Sequence, residues 1–215
     1  MEIKVMKRVL DRNQDKAEQI RSLLKDRHVR MYNLISSPGA GKTTLLEQTC
    51  RHLGGSLKVG IIEGDVYTDR DAQRLKQYGF PIVLINTEGG CHLDSNSIDG
   101  ALKEFDLDEM DLLFVENVGN LVCPSHFDLG ETAKIAVVST SEGDDKPIKY
   151  PMLFRDARVV VLNKMDLLEY TNFNYDAFVK DLRQVNPNVP LFETSLTRGE
   201  GLDGWYRWLE GETNA

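Results

Sequence analysis

Residues 33–46 read Asn33-Leu34-Ile35-Ser36-Ser37-Pro38-Gly39-Ala40-Gly41-Lys42-Thr43-Thr44-Leu45-Leu46. A short apolar run leads into a glycine-rich turn, and Lys42 and Thr43 then open a helix. This is the layout of a phosphate cradle. Backbone N–H groups of the turn and of the helix start face one point, where the helix dipole also favours negative charge. Lys42 is placed to neutralise β- and γ-phosphates, and the Thr43 hydroxyl to sit on Mg²⁺. Gly39, Ala40, Gly41, Lys42, Thr43 and Thr44 are therefore candidate nucleotide contacts. The general pattern is G-x-x-x-x-G-K-[ST], and Ser36 stands where its first glycine belongs. A serine there is expected to tolerate the required backbone geometry less well than glycine.

Outward from the cradle, strand-like and helix-like segments alternate. Strands are expected at 29–36, 58–63, 81–86, 111–116, 134–140, 158–162 and 191–194. Helices are expected at 43–53, 69–78, 95–104, 175–185 and 202–209. Near-continuous Val/Ile/Leu runs imply strands buried on both faces, as in a parallel sheet between helices. The fold class expected is α/β: a three-layer P-loop NTPase with a mostly parallel central sheet flanked by helices. Residues 1–28 read as an amphipathic helix that packs on the domain or joins a dimer contact, and 29–215 as one nucleotide-binding domain.

The chain has 215 residues, 41% of them hydrophobic, which suffices for one sizeable core. A net charge of −8 argues against nucleic-acid and polybasic membrane roles. Three cysteines do not suggest a disulfide framework and fit a reducing compartment. The N-terminal residues show no apolar signal region, and no stretch approaches a membrane span, so a cytoplasmic location is expected.

The run Val159–Leu162 leads straight into Asn163-Lys164-Met165-Asp166. Asn-Lys-x-Asp at a strand end is a guanine reader. The Asp166 carboxylate can accept from N1–H and the exocyclic amine together, a donor pair that adenine lacks at that edge. A buried carboxylate left without its donors is costly, so such a site rejects the wrong base. Asn163 would hold the loop and the base, and the Lys164 stem would cover a ring face. Glu193-Thr194-Ser195-Leu196 ends a later strand and is similar to a second guanine loop, with Ser195 and the Leu196 backbone at the base.

Asp111-Leu112-Leu113-Phe114-Val115-Glu116-Asn117-Val118-Gly119 has the form of a Walker B strand. Its ending, Glu-x-x-Gly, resembles the metal-enzyme maturation GTPases of the SIMIBI class. That resemblance places Glu116 near Mg²⁺ and gives Gly119 as the donor that senses the γ-phosphate. It also implies a carboxylate after the second strand that orients the attacking water or the Mg²⁺ shell. Asp65 takes that role, and Asp69 is preferred as a helix cap. The catalytic set is Lys42, Asp65, Glu116 and Gly119.

Cys91-His92 and Cys123 follow the third and fourth strands. Both are read as lying in loops from the carboxyl ends of adjacent strands, where they can converge. Two thiolates and an imidazole suit Ni²⁺ or Zn²⁺. They also fit buried cysteines beside a hydrogen-bonded histidine. His126 is a further candidate ligand, Cys50 reads as core, and His28 and His52 as surface residues.

Gly-Gly-Cys91-His92-Leu-Asp, Val-Glu116-Asn-Val-Gly119-Asn-Leu-Val-Cys123-Pro, Phe-Asp-Leu-Gly-Glu, Glu-Gly-Asp-Asp-Lys-Pro and Asn163-Lys164-Met-Asp166 together resemble the hydrogenase nickel-incorporation GTPases, the HypB family, over about residues 28–210. The resemblance implies a GTP-hydrolysing nickel metallochaperone that dimerises with GTP bound. It implies nickel or zinc at Cys91, His92 and Cys123, and delivery to a [NiFe]-hydrogenase large-subunit precursor with a HypA-type nickel chaperone. It also implies a lysine reaching across the dimer, for which Lys146 and Lys149 are the candidates. A urease-type nickel GTPase reads Cys-Pro-His at its metal site, whereas here Cys123-Pro124-Ser125-His126 intervenes. A P-loop small-molecule kinase has little use for Asn163–Asp166, and a metal reservoir has little use for Lys42, Thr43 and Asp166.

Overall fold

The computed structural model describes residues 9–53, 55–65, 75–76 and 78–213. The strands are β1 (Arg30–Ser36), β2 (Val59–Asp65), β3 (Ile82–Asn86), β4 (Leu112–Glu116), β5 (Ala133–Ser139), β6 (Ala157–Asn163) and β7 (Leu191–Glu193). They form one sheet in the order β3-β2-β4-β1-β5-β6-β7, and every pairing of these strands is parallel. The helices are α1 (Val9–Asp26), α2 (Lys42–Leu53), α3 (Ser95–Leu102), α4 (Cys123–His126), α5 (Lys146–Lys149), α6 (Pro151–Asp156), α7 (Tyr175–Val185) and α8 (Asp203–Thr213).

Period-two alternation builds the three layers. Tyr32, Leu34, Leu112, Phe114, Ile135, Val137, Val159 and Val161 face one side, where α2 and α8 add Leu45, Leu46, Trp205 and Leu209. Their sequence neighbours face the other side. There Met31, Leu113 and Val115 meet Ile20 and Leu24 of α1 and Ile98 and Leu102 of α3. Ile35, Ala136, Val138, Val160 and Leu162 meet Leu153, Phe154, Phe178 and Leu182 of α6 and α7. With both faces covered, these strands carry apolar side chains at nearly every position.

The strands and the helices expected at 43–53, 95–104, 175–185 and 202–209 agree with the sequence reading to within a few residues, whereas α5 and α6 were not expected. The helix expected at 69–78 falls outside the described residues except for Leu75, Lys76 and Tyr78, and the first eight residues of the N-terminal helix also lie outside them. Two expectations are corrected. The strands preceding Cys91 and Cys123 are not adjacent, because β2 lies between β3 and β4. Cys123 does not lie in a loop but opens α4, with Pro124 in its first turn. Among the described residues no helix is long and apolar enough to cross a membrane.

One polar bond sits deep in the α2/α8 layer. Trp205, fully buried, donates its Nε1–H to Thr49 Oγ1 at 2.8 Å. The bond satisfies the indole where no water reaches it. Trp205→Ala should lower unfolding free energy by about 3–5 kcal/mol in urea titrations, and a loss under about 1 kcal/mol would show that α8 contributes little to this core.

Candidate functional site

The carboxyl ends of β1, β2, β4, β6 and the edge strand β7 carry the candidate nucleotide residues. Gly39 and Gly41 adopt φ of +74° and +115°, which a side chain would strain. At Gly41 the space is also closed, since a Cβ would lie 2.4 Å from Asn163 Nδ2. Asn163 joins three loops. Its Nδ2 donates to Ala40 O at 2.8 Å, and its Oδ1 accepts from Leu196 N at 3.1 Å and Thr194 Oγ1 at 3.5 Å. Phosphate loop, base loop and the Ser195 loop are therefore one unit. Thr44 follows in the first turn of α2.

Asp166 ends this unit. Its Oδ1 accepts from Ser195 Oγ at 2.6 Å, and Arg198 Nε lies 3.6 Å from its Oδ2. Lys164 adopts φ +62°, the left-handed region, and its carbonyl accepts from Thr140 Oγ1 at 2.7 Å. Lys164 Nζ donates to Ser141 Oγ at 3.2 Å, which lays its stem along the loop after β5.

Ser36 overturns the expectation of strain, because its φ is not in the left-handed region. The side chain instead contributes. Ser36, fully buried, accepts from Lys42 Nζ at 2.8 Å and donates to Ser37 O at 2.6 Å. Lys42 is thereby held over the loop.

Thr43 Oγ1 donates to Glu116 Oε1 at 2.8 Å, and both residues are buried. A hydroxyl and a carboxylate at the mouth of a phosphate loop are the hard oxygen donors that Mg²⁺ takes, so these residues fit the ion. Asp65 ends β2 in register with Asn86. Its side chain and Asp69 lie outside what the structure describes. Gly119 packs on the phosphate loop. A Cβ there would fall 2.9 Å from Pro38 Cγ and 3.0 Å from Pro38 N, so only glycine fits without displacing Pro38.

The donor atoms of Cys91, His92 and Cys123 lie within 4.8 Å of one another. The β3 loop reaches the β4 loop by crossing β2 at Gly64. Leu93 occupies the place of a side chain there, and a Cβ on Gly64 would sit 2.8 Å from Leu93 Cδ1. The turn before Cys91 is tight, with Glu88 at φ +51° and Gly89 at +92°. Cys91 Sγ lies 3.4 Å from His92 Nδ1, and the His92 ring stacks on Phe127 at 3.9 Å. Burial lowers the His92 pKa against the pull of Asp94, so the imidazole favours its neutral, ligating form. The hydrogen bond to Cys123 raises the Cys91 pKa, aided by burial and by the Cys123 charge. A metal cation bound between the two sulfurs would offset their mutual repulsion and favour the thiolate form of both. Cys91 is exposed and Cys123 and His92 half-buried, leaving the site open on one side. His126 is exposed and is not among the three clustered donors.

Two residues that sequence reasoning missed join the sites. Asn117 Oδ1 accepts from Leu93 N at 3.2 Å and Val118 N at 3.0 Å, while its Nδ2 donates to Asn33 Oδ1 at 3.1 Å. Asn120 Nδ2 donates to Cys91 O at 3.2 Å. Behind Asn117, Asn33 Nδ2 reaches Glu131 Oε1 at 3.4 Å, and burial raises the Glu131 pKa against Lys134. Asn33 was findable as a lone polar residue inside an apolar strand.

The candidate cross-dimer lysines both lie on α5. Lys146 Nζ is 3.9 Å from Glu142 Oε2 and sits over the Tyr150 ring, whereas Lys149, the more exposed, is 3.1 Å from Asp145 Oδ2. Cys50 is core, as expected. His52 is partly exposed, pairs with Glu210 at 2.8 Å and stacks on Tyr206.

The nucleotide-binding domain family described as CobW/HypB/UreG matches residues 30–193. The hydrogenase maturation factor HypB of Escherichia coli K12 is 48% identical over 202 residues, covering 94% of this chain and 70% of that protein. A crystal structure of HypB from Archaeoglobus fulgidus superposes with a TM-score of 0.88 at 37% identity, covering 94% of this chain and 99% of that one. HypB from Helicobacter pylori, crystallised in complex with nickel, gives 0.87 at 36% identity, covering 94% and 95%. With the phosphate cradle and its companion loops in place, these likenesses decide the family: the chain belongs to the HypB hydrogenase maturation factors, within the CobW/HypB/UreG nucleotide-binding domains.

Proposed function

We propose that this chain is a GTP-hydrolysing nickel metallochaperone for [NiFe]-hydrogenase maturation. It dimerises with GTP bound and works with a HypA-type nickel chaperone on the hydrogenase large-subunit precursor. Nickel is its cargo, and Zn²⁺ is the competing occupant of the same donors. The observation that carries the reading is the pair of asparagines, Asn117 and Asn120, that flank Gly119 and bond to the Cys91–Leu93 segment. The nickel-bound Helicobacter pylori relative supports the choice of metal. The absence of His126 from the three-donor group favours the hydrogenase pattern over the urease Cys-Pro-His pattern.

The mechanism follows from the contacts. Asp166 reads guanine when the base displaces Ser195 Oγ and Arg198 from its two oxygens. Lys42 leaves Ser36 Oγ for the β- and γ-phosphates. Thr43 and Glu116 would hold Mg²⁺, which would supply positive charge against the negative charge that develops on the phosphates in transfer. Asp65 is assigned to the attacking water. Gly119 donates its N–H to the γ-phosphate and loses that partner on hydrolysis. The displacement passes through Asn117 and Asn120 to Leu93 N and Cys91 O, so the Cys91 and His92 donors shift against Cys123. The open side of the donor set, beside half-exposed Val122, is where a second subunit completes the coordination.

Asp166→Ala should abolish the preference for GTP over ATP, weakening GTP by about 100-fold or more, because the donor pair of guanine loses its acceptor. Sedimentation of the wild-type chain with a GTP analogue and Mg²⁺ should give a dimer that Asp166→Ala does not form. Unchanged GTP preference, or a wild-type chain that stays monomeric, would defeat this part. Cys91→Ala and Cys123→Ala should each remove stoichiometric nickel in equilibrium dialysis while leaving GTP affinity unchanged, and retained nickel would place the metal elsewhere.

A further inference from the structure

Helix α1 is anchored by apolar packing, with Ala17, Ile20 and Leu24 all buried. One turn earlier, Asn13 is only 4% exposed although its side chain is polar. A buried amide is tolerated when its donor and acceptor are both used. Asn13 uses them on two different segments. Its Nδ2 donates to Asp128 O at 2.7 Å, and its Oδ1 accepts from Ser95 N at 2.8 Å. The Asn13 carbonyl also accepts from Ser95 Oγ at 2.9 Å.

The two partners belong to the two arms of the metal site. Ser95 opens α3, three residues beyond His92. Asp128 closes the segment that begins at Cys123 and directly follows Phe127, on which His92 stacks. One amide therefore spans both arms from behind. Arg21 adds a second hold on Asp128, with its guanidinium 2.6 Å and 2.8 Å from the two carboxylate oxygens. From the front, Asn117 and Asn120, which precede Cys123 in the chain, bond to the Cys91–Leu93 arm. The donor set thus lies between the Asn13 contacts on α1 and the segment around Gly119.

We infer that Asn13 is a positioning residue of the metal site: its amide, bridging Ser95 and Asp128, holds the Cys91–His92 arm and the Cys123 arm at ligand spacing. The inference rests on the nickel reading given above. Asn13 touches no metal and no nucleotide. It acts through the backbone of both arms, as groups behind a ligand commonly do, and loss of such a group weakens metal binding by about 10- to 100-fold. A residue that merely filled the core would lower stability and leave the coordination unchanged.

The test uses the full chain in four forms: wild type, Asn13→Ala, Asn13→Asp and Leu24→Ala. Asp at 13 keeps the acceptor for Ser95 N but loses the donor to Asp128 O. Leu24→Ala loosens α1 packing without touching the amide. Nickel affinity, the thiolate-to-nickel charge-transfer absorption, nucleotide affinity without nickel, and Tm are measured for each. Asn13→Ala should weaken nickel by about 10- to 100-fold and alter the charge-transfer band, with nucleotide affinity unchanged. Asn13→Asp, which sets a carboxylate oxygen against Asp128 O, should weaken nickel at least as far. Leu24→Ala should lower Tm and leave nickel affinity and the band in place. Wild-type nickel affinity in both folded Asn13 variants would overturn the inference alone, as would equal weakening by Leu24→Ala. A wild-type chain that binds no nickel would remove the site reading and the inference together.

Discussion

The close approach of Gly119 to Pro38 is the constraint on which the rest of the site depends. No side chain fits there, so the strand-end loop proposed to sense the γ-phosphate lies directly on the phosphate loop. Asn117 and Asn120, on either side of that glycine, hold the backbone of the Cys91–Leu93 segment. A change at the phosphates thus has a short covalent and hydrogen-bonded route to the proposed metal donors. The route is a physical two-ended link, and reciprocity follows: whatever nucleotide does to metal affinity, metal does to nucleotide affinity.

This arrangement needs glycines and buried amides at positions fixed by the sheet. Because β2 separates β3 from β4, the Cys91 arm must cross a strand to meet Cys123. Gly64 makes that crossing by leaving room for Leu93. The interior amides then supply what the crossing loop lacks in apolar packing. Asn33, Asn117 and Glu131 form one buried chain, and Asn13 forms a second on the opposite side of the arms. Buried polar groups specify a unique arrangement only when each is satisfied, which is the case along this chain from Asn33 to Leu93 N.

Much of this was legible in the sequence, for stated physical reasons. Strands buried on both faces read as apolar runs, and the glycine-rich turn with Lys42 and Thr43 reads as the phosphate loop of a nucleotide-binding domain. Cys91, His92 and Cys123 converge as expected, although the ground for expecting it, that their strands are adjacent, does not hold. What was not legible depends on tertiary packing. Strand order cannot be read from apolar runs, so β3 and β4 were taken as neighbours. Pro124, Pro147 and Pro151 each sit in the first turn of a short helix, where the missing N–H costs nothing, and those helices were not expected. Ser36 read as a flawed glycine, whereas its hydroxyl holds Lys42. Asn13 gave no local signal, because its partners lie 82 and 115 residues away.

The central claim is that nucleotide state sets metal affinity through the Gly119 loop. It is tested most directly by nickel titration calorimetry on the chain loaded with a non-hydrolysable GTP analogue or with GDP, each with Mg²⁺, alongside Asn120→Ala. The account predicts different nickel affinities in the two nucleotide forms of the wild type, and a smaller difference in Asn120→Ala. Equal nickel affinity in both nucleotide forms of the wild type would contradict it.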